Sequence, residues 1–265
     1  MTDAAEPVLY EVADHIATIT LNRPEARNAL TWEAYAALEK AFARIAADPE
    51  VRCVIITGSD PAFCSGDDVK QIMIGSRDDT AKRLLQPRPS GTPAAIAALD
   101  CDRPIIAAVN GPAVGWGMDL SLFADIRLAS EKAKFGELFI KRGLIADLGG
   151  LWRLPAVVGP AKASELLFTG DVIDAAEALR IGLVTEVLPH AELMPRARAM
   201  AERIAANAPL ALRYMKEGLR RTAYGDAREF GSWISHTLGL LFQTEDSKEG
   251  AMSFVEKRAP VFKGR

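Results

Sequence analysis

The chain has 265 residues, 49% of them hydrophobic, which is enough to bury the core of one large domain, with or without a small appendage. Charged residues make up 25% of the chain and the formal net charge is −3, so the basic excess typical of nucleic-acid-binding proteins is missing. No run of about 18 apolar residues is present and the N-terminus lacks a secretory pattern, so we expect no membrane span and no export. The three cysteines form no Cys-x-x-Cys pair, which predicts a reduced, cytoplasmic protein without a zinc site.

Strands and helices alternate in the first two-thirds of the sequence. Residues 8–12 and 15–21 alternate in polarity like a β-hairpin, and an amphipathic helix follows, with Thr31 as its N-cap and its end at residue 47. Short β-rich apolar runs predict buried parallel strands at residues 51–57, 104–109 and 126–129. This order indicates an α/β fold of repeated ββα or βαβ units.

The C-terminal part of the chain loses these strand signals. Its pattern predicts helices at residues 191–207, 209–223, 227–242 and 246–256. Residues 76–93 are charged and then rich in proline, serine and glycine, which predicts a surface loop or an insertion near a site. We therefore expect a core at residues 1–205 and a helical region at residues 206–265 that packs on the core and on neighbouring subunits.

Two glycine-rich junctions connect a strand to a helix. Gly66 precedes one predicted helix, with Asp67 in its first turn, and Gly115 precedes Trp116 at the other. The first N–H groups of a helix lack intrahelical partners and lie at the positive end of its dipole. Two such ends that converge could bind a developing oxyanion, although many such turns only pack a helix tightly. The P-loop pattern is absent and the spacing does not fit GxGxxG, which disfavours dinucleotide binding.

Five blocks of the sequence resemble the enoyl-CoA hydratase/isomerase, or crotonase, family in order and spacing. They are AFCSGDDVK, RPIIAAVNGPAVGWGMDLSLFADIRLASEKAKFG, GLIADLGGLWRLPAVVG, FTGDVIDAAEALRIGLVTEVLP and EGAMSFVEKRAPVFKGR. The resemblance implies a crotonase-like spiral of ββα repeats with a C-terminal helical trimerisation region, assembled as a homotrimer or a dimer of trimers. It also implies an acyl-CoA thioester as substrate and no separate cofactor, since coenzyme A is part of the substrate.

The resemblance also implies roles for individual residues. By position, the backbone N–H groups of Asp67 and Trp116 would bind the thioester oxygen. The family usually has glycine or alanine where Trp116 stands, so its indole must point away from the substrate or reshape the pocket. The other residues implied to contact the substrate or coenzyme A are Ser65, Gly66, Asp68, Val69, Lys70, Gly115, Phe139, Leu144, Phe254 and Lys257.

The acidic residues distinguish the possible reactions. Hydratases of the family use two glutamates, which fall here at Asp119 and Phe139, and Phe139 cannot transfer a proton. Glu137 would replace it only if the loop were rearranged. Asp147 stands where some family isomerases carry their acid, and one carboxylate can remove a proton and return it two carbons away. We therefore predict an enoyl-CoA isomerase with Asp147 as proton shuttle, Asp119 as helper, and an apolar wall that includes Leu144.

Other interpretations stay open. Within enzymes, the alternative is a hydratase that uses Asp119 and Glu137. Asp119 could also satisfy free N–H groups at a helix start, and Asp147 could cap the helix near Gly149. An acyl-CoA- or RNA-binding homologue is the non-enzyme alternative. A solvated helix face explains its motivating basic residues more simply; these are Arg213, Lys216, Arg220 and Arg221.

Nucleophilic catalysis has little support in the sequence. The family's dehalogenases have an aspartate at the position of Asp147 but need a histidine base before the second strand, and residues 94–102 contain none. The three histidines lie outside every motif and near no candidate serine, so we predict no Ser-His-Asp triad.

Overall fold

The computed structural model describes residues 6–75, 92–221, 240 and 244–265. Its strands are β1 (Val8–Ala13), β2 (Ile16–Leu21), β3 (Cys53–Gly58), β4 (Ile105–Val109), β5 (Pro112–Val114), β6 (Ile126–Ser130), β7 (Lys134–Gly136), β8 (Ile173–Asp174) and β9 (Glu186–Leu188). Six of them form one sheet in the order β1-β2-β3-β4-β6-β9, in which β1 and β2 are antiparallel and every later pair is parallel. The remaining three form a second sheet in the order β5-β7-β8.

The α-helices lie between and after these strands. They are α1 (Trp32–Ala47), α2 (Pro93–Asp100), α3 (Trp116–Phe123), α4 (Leu154–Val158), α5 (Pro160–Thr169), α6 (Ala175–Arg180), α7 (Leu193–Ala205), α8 (Pro209–Arg221) and α9 (Glu245–Glu256). Short 3₁₀ helices span Pro24–Ala26, Leu138–Arg142 and His190–Glu192, and π-helical turns span Val69–Gly75 and Gly149–Arg153.

The large sheet is covered on both faces, which explains why every residue of its strand β3 is buried. Because side chains alternate along a strand, Val54 and Ile56 of β3 pack into the main core with α1, whereas Cys53 and Ile55 face the opposite side. On that side the alanine-rich face of α7 packs against them, and Ala201 is fully buried there. The C-terminal ends of the strands, where the two glycine-rich junctions lie, are therefore held between two packed layers.

Most of the predicted elements are confirmed. The hairpin, the buried strands and the α/β architecture agree with the sequence, and the Thr31 Oγ1 atom accepts the Ala34 N–H at 3.2 Å as an N-cap. The end predicted for the loop at residues 76–93 is wrong, because Pro93 is already the first residue of α2. The fixed φ of proline suits the first turn of a helix. Residues 76–91 lie outside the described residues, as does the helix predicted at 227–242 except for residue 240. The boundary at residue 205 stays a prediction.

Three of the four basic residues of α8 bind the core, whereas Arg221 is exposed and pairs with Glu217 of the same helix. Lys216 is buried, donates to the Arg103 carbonyl at 2.7 Å and lies 2.7 Å from the Asp125 carboxylate. Arg213 pairs with Asp102 at 3.5 Å, and Arg220 donates to a core carbonyl at 2.5 Å. These contacts remove much of the motivation for an RNA-binding surface. Among the residues that the structure describes, no helix has the length and apolar composition to span a membrane.

Candidate active site

The first junction differs from the predicted helix start. Asp67 forms an isolated parallel bridge with Leu30 and lies outside any helix. The next helical turn begins only at Val69. The Leu30 N–H donates to the Gly66 carbonyl and the Asp68 N–H donates to the Leu30 carbonyl, both at 2.8 Å. This bridge uses the backbone groups on either side of the Asp67 N–H. Within the described part of the chain, that N–H itself has no acceptor.

The second junction has the predicted form. Gly115 has φ +54° and precedes α3, and its carbonyl accepts the N–H groups of Met118 and Asp119 at 2.9 and 3.1 Å. The Trp116 N–H is the first of the helix, and no acceptor for it occurs among residues 6–75, 92–221 and 244–265. The helix therefore begins with an available donor.

Gly66 brings these two donors together. It has φ +84°, and a Cβ atom at this position would stand 2.9 Å from the Val114 carbonyl oxygen and 3.4 Å from the Trp116 nitrogen. A side chain would push the junctions apart, so the approach requires glycine. Two adjacent, unused backbone donors are what an oxyanion hole requires.

The Trp116 indole points into the protein. Its side chain leaves the residue only 2% exposed, and its ring packs edge-on against Tyr35, with the centroids 4.8 Å apart and the planes at 89°. Its Nε1 donates to the Thr92 Oγ1 atom at 3.2 Å. Of the two possibilities left by the sequence, the indole thus takes the orientation into the core.

Asp119 and Glu137, which we call the acid pair, are buried together beside this junction. They are 0% and 1% exposed, and in the described structure none of their four carboxyl oxygens has a hydrogen-bond partner. A Cβ atom on Gly149 would stand 2.5 Å from the Asp119 Oδ1, and one on Gly150 would stand 3.1 Å from the Glu137 Oε1. The two glycines therefore leave the space that the carboxyl groups occupy.

Burial is the largest cause that raises the pKa of both carboxyl groups. The charge of Asp147 further raises the pKa of Asp119, and the charge of Asp119 further raises the pKa of Glu137. The acid pair therefore keeps a proton at a pH where exposed carboxyl groups are ionised. Glu137 lies beside Asp119, and its part in proton transfer stays a prediction. The Gly115 N–H donates to the Gly136 carbonyl at 2.9 Å, which holds the end of β7 beside the start of α3.

The structural roles considered for the two aspartates fare differently. Asp119 accepts no hydrogen bond of ordinary geometry, although backbone groups of Gly150 and Asp147 lie close enough to lower its pKa. Asp147 does partly cap its own turn, since its Oδ1 accepts the Leu148 N–H at 2.8 Å. Its Oδ2 accepts the Thr92 hydroxyl at 3.4 Å. Because its charge acts on both Asp119 and Asp67, Asp147 belongs to the same cluster of carboxyl groups.

The side chain of Asp67 is also held within this cluster. Its Oδ1 accepts the Tyr35 hydroxyl at 2.5 Å. Burial raises the pKa of the Asp67 carboxyl, and the bond from Tyr35 opposes that shift. Nothing in the sequence singled out Tyr35, which reads as one more apolar position of an amphipathic helix.

The remaining predicted residues lie in varied surroundings. Phe139 is half-buried against the core, whereas Leu144 is 47% exposed, so the expected apolar wall is open to solvent on that side. Asp68 pairs with Arg23 at 3.3 Å and accepts the Gln71 N–H at 3.2 Å, which ties it to local structure. Contacts of these residues with coenzyme A stay predictions.

Four more of the predicted contact residues lie at the protein surface or near it. The Ser65 hydroxyl donates to the Ala26 carbonyl at 3.3 Å. Val69 and Lys70 are exposed, and Lys257 is exposed just beyond α9. Phe254 lies in α9, but its side chain lies outside the described residues.

One histidine lies in an arrangement that the sequence did not predict. The His190 Nε2 lies 3.0 Å from Asp60 Oδ2 and its Nδ1 lies 3.1 Å from the Ser130 Oγ, so the two ring nitrogens are exchanged relative to a catalytic Ser-His-Asp triad. Ser130 is fully buried, and its hydroxyl also accepts the Lys132 N–H at 3.1 Å, which ties it to the local turn. A histidine therefore does lie near a serine, but the reversed ring nitrogens do not give the geometry of a catalytic triad.

Comparison with known proteins agrees with the fold. Residues 11–265 match the family described as enoyl-CoA hydratase/isomerase. The (E)-benzylidenesuccinyl-CoA hydratase of Thauera aromatica is 40% identical over 262 residues, which cover 97% of this chain and 99% of that protein. The carnitinyl-CoA dehydratase of Salmonella typhi is 40% identical over 94% of this chain and 95% of its own.

A solved structure gives the same result. The crystal structure of enoyl-CoA hydratase from Bacillus anthracis superposes with a TM-score of 0.90 at 32% identity, covering 98% of this chain and 100% of that one. Sequence and fold agree over nearly the whole length. The chain is therefore an acyl-CoA-processing enzyme that belongs to the enoyl-CoA hydratase/isomerase, or crotonase, family.

Proposed function

We propose that this enzyme adds water reversibly to a 2-enoyl-CoA thioester, with the acid pair as its proton-transfer groups. The observation that carries the proposal is the acid pair itself. Two fully buried carboxyl groups whose oxygens lack protein partners make a polar site that favours a polar occupant such as a water molecule. Raised pKa values leave the pair with a proton to give, while its ionised member can accept one.

The proposed step balances on these groups. The water oxygen forms a bond to the β-carbon as the ionised member of the acid pair takes a proton from that water. The electrons of the carbon–carbon double bond move toward the thioester oxygen, which the N–H groups of Asp67 and Trp116 stabilise as an enolate. The protonated member then gives its proton to the α-carbon. Because the two acids titrate as a coupled pair, we assign these roles to the pair as a whole.

The names of the relatives support the reaction class but do not single out a particular acyl group. One relative is a benzylidenesuccinyl-CoA hydratase and another a carnitinyl-CoA dehydratase, so hydration and its reverse occur with chemically different acyl groups at a similar degree of identity. We therefore extend to this chain the addition or removal of water, and leave the acyl group to experiment.

Isomerisation with Asp147 as a single shuttle, the reaction predicted from the sequence, is the second candidate. It is favoured by the placement of Asp147 within electrostatic reach of both Asp119 and Asp67. In that reaction the carboxylate removes a proton from one carbon of a 3-enoyl thioester, and the same proton returns two carbons away. Only one base is needed.

A labelling experiment separates the two reactions. Crotonyl-CoA and a 3-enoyl-CoA are incubated with the enzyme in ¹⁸O-labelled, deuterated water, and the products are analysed by mass spectrometry. Hydration introduces ¹⁸O at the β-carbon, whereas isomerisation introduces only deuterium, at the α- or γ-carbon. We expect ¹⁸O incorporation that falls by about 100-fold or more in Glu137→Gln and by less than about tenfold in Asp147→Asn.

Each other outcome has a defined meaning. Deuterium exchange without ¹⁸O, lost in Asp147→Asn and kept in Glu137→Gln, would replace hydration by isomerisation. Absence of both labels with every thioester in a panel of straight-chain and aryl substrates would overturn both candidates.

The assembly and the location of the enzyme stay predictions. A homotrimer or a dimer of trimers is supported by apolar side chains that remain exposed on the single chain, among them Met215 and Leu219 of α8 at 66% and 73%. Light scattering would give the mass of the assembly. A cytoplasmic location and a reaction without a separate cofactor are likewise proposals.

A further inference from the structure

A connected set of side chains surrounds the two proposed oxyanion donors. Asp67 accepts a hydrogen bond from Tyr35, and the ring of Tyr35 packs edge-on against the indole of Trp116. That indole donates to Thr92, and Thr92 donates to Asp147. The contacts thus run from one donor residue to the other and on to a candidate acid.

Both donor residues carry side chains that make these links possible. A glycine or alanine at the position of Trp116 could reach neither Tyr35 nor Thr92. Here the indole fills the space behind the backbone donor, with a third aromatic ring, Phe123, 6.1 Å away on centroids. Because aromatic and hydrogen-bonded contacts fix the ring on several sides, rotation of the indole is restricted.

Tyr35 joins the first junction to a rigid element. It is buried on α1, and the bridge between Leu30 and Asp67 fixes the backbone just before that helix to the same junction. The side-chain bond from Tyr35 thus adds to a backbone attachment. Burial, with the charge of Asp67 next, raises the pKa of the Tyr35 phenol, so the hydroxyl stays protonated and remains a donor.

Thr92 performs the matching task at the second junction. Its residue directly precedes α2, and its hydroxyl accepts from the indole at 3.2 Å while donating to Asp147 at 3.4 Å. One hydroxyl group can both accept and donate, so the two bonds are compatible. A shift of Thr92 would move the indole and the carboxylate together.

We propose that Tyr35 and Thr92 are positioning residues that hold the Asp67 and Trp116 N–H groups and the Asp147 carboxylate in one arrangement around the thioester. The inference rests on the proposed function, in which those N–H groups polarise the thioester carbonyl. Neither residue touches the reacting atoms; each acts through the residue that it binds.

The test uses variants that remove one hydroxyl and keep the shape. Tyr35→Phe and Thr92→Val delete the two links, and Thr92→Ser restores the hydroxyl. Tyr10→Phe is the matched control, because the Tyr10 hydroxyl is buried and has no hydrogen-bond partner in the described structure. We expect kcat to fall about tenfold in Tyr35→Phe and Thr92→Val with KM changed by less than about twofold, since the arrangement matters most in the transition state. Thr92→Ser should recover kcat to within about twofold of wild type.

A second readout does not depend on turnover. The infrared band of the carbonyl in ¹³C-labelled butyryl-CoA, which has no double bond to hydrate or move, shifts to lower frequency when an oxyanion hole polarises it. We expect the shift in wild type and Tyr10→Phe, and a smaller shift in Tyr35→Phe. Circular dichroism establishes that each variant is folded.

The outcomes distinguish the two proposals. No carbonyl shift in the wild-type enzyme would contradict the proposed oxyanion hole itself. A normal shift in wild type that is unchanged in folded Tyr35→Phe, with kcat also unchanged there and in Thr92→Val, would overturn the positioning role alone. An increase in KM with kcat unchanged in the same variants would also overturn the positioning role.

Discussion

Replacing one member of the acid pair by its amide should stabilise the enzyme while impairing it. In Asp119→Asn or Glu137→Gln, a neutral group of nearly the same shape replaces a carboxyl group that is 0% or 1% exposed and has no partner in the described structure. An unpaired buried charge costs several kcal/mol, and the buried amide still costs about 1–3 kcal/mol. We expect a net gain of about 1–3 kcal/mol, or roughly 3–10 °C in Tm, for a chain of this size.

The gain should depend on pH in one direction. The pKa of each carboxyl is raised in the folded state. Below the ordinary pKa of about 4, both the folded and the unfolded chain are therefore protonated, and the raised pKa costs no stability. As the pH rises from there toward the raised folded pKa, the unfolded chain ionises first, and the wild-type enzyme loses stability progressively. The amide variants lack this loss, so their advantage should be larger at pH 8 than at pH 5.

The assay is thermal unfolding at both pH values, followed by circular dichroism and paired with the hydration rate. Glu39→Gln is the control, because it makes the same chemical change on an exposed position of α1 and should alter stability by less than about 0.5 kcal/mol. The hydration rate should fall by about 100-fold or more in the acid-pair variants. An equal or lower Tm at pH 8, or the same gain at both pH values, would refute the reasoning that an ionised carboxylate is strained by burial.

Two further substitutions test the space around the acid pair. Gly149→Ala would set a methyl group 2.5 Å from the Asp119 Oδ1, so we expect a loss of about 1–3 kcal/mol of stability in thermal unfolding and a lower kcat. Gly250→Ala is the control within α9, because its Cβ meets only the Phe262 ring at 3.7 Å, and it should increase the stability by about 0.5–1 kcal/mol. Similar losses of stability in both variants would contradict this account. Phe139→Glu would introduce a carboxyl group at the position where the family resemblance places the second glutamate of the hydratases. We expect no rise in ¹⁸O incorporation, because the acid pair already supplies both proton-transfer groups; an increase would show that the second acid is missing from the wild-type enzyme.

The sequence predicted those parts of the fold that depend on local patterns. The β-hairpin, the Thr31 N-cap and the strand at β3 follow from residue alternation, a capping side chain and an apolar run, and each involves only neighbours in the chain. The glycines at the junctions were visible for the same reason. Their convergence followed from the family resemblance, since nothing local sets the approach of Gly66 to the Trp116 nitrogen.

Glu137 shows what a pattern cannot supply. Two positions separate it from Phe139, where the family's second glutamate falls, and counting along the chain made it unsuitable. Its position is set by the register of β7 against β5, which pairs Gly136 with Val114, and by the space left by Gly150. A parallel pairing between distant short strands has no sequence signature, so this carboxyl group became visible only in the structure.

Trp116, Tyr35, Thr92 and Asp147 form a connected set, and that connection bears on the reaction. The indole of Trp116 is accommodated by Tyr35 on one side and bonded to Thr92 on the other. Thr92 in turn holds Asp147. Packing alone would require only space for the indole, whereas these contacts extend to a carboxylate. We therefore expect the set to influence where the thioester sits relative to Asp147 and the acid pair, and thus which proton is moved.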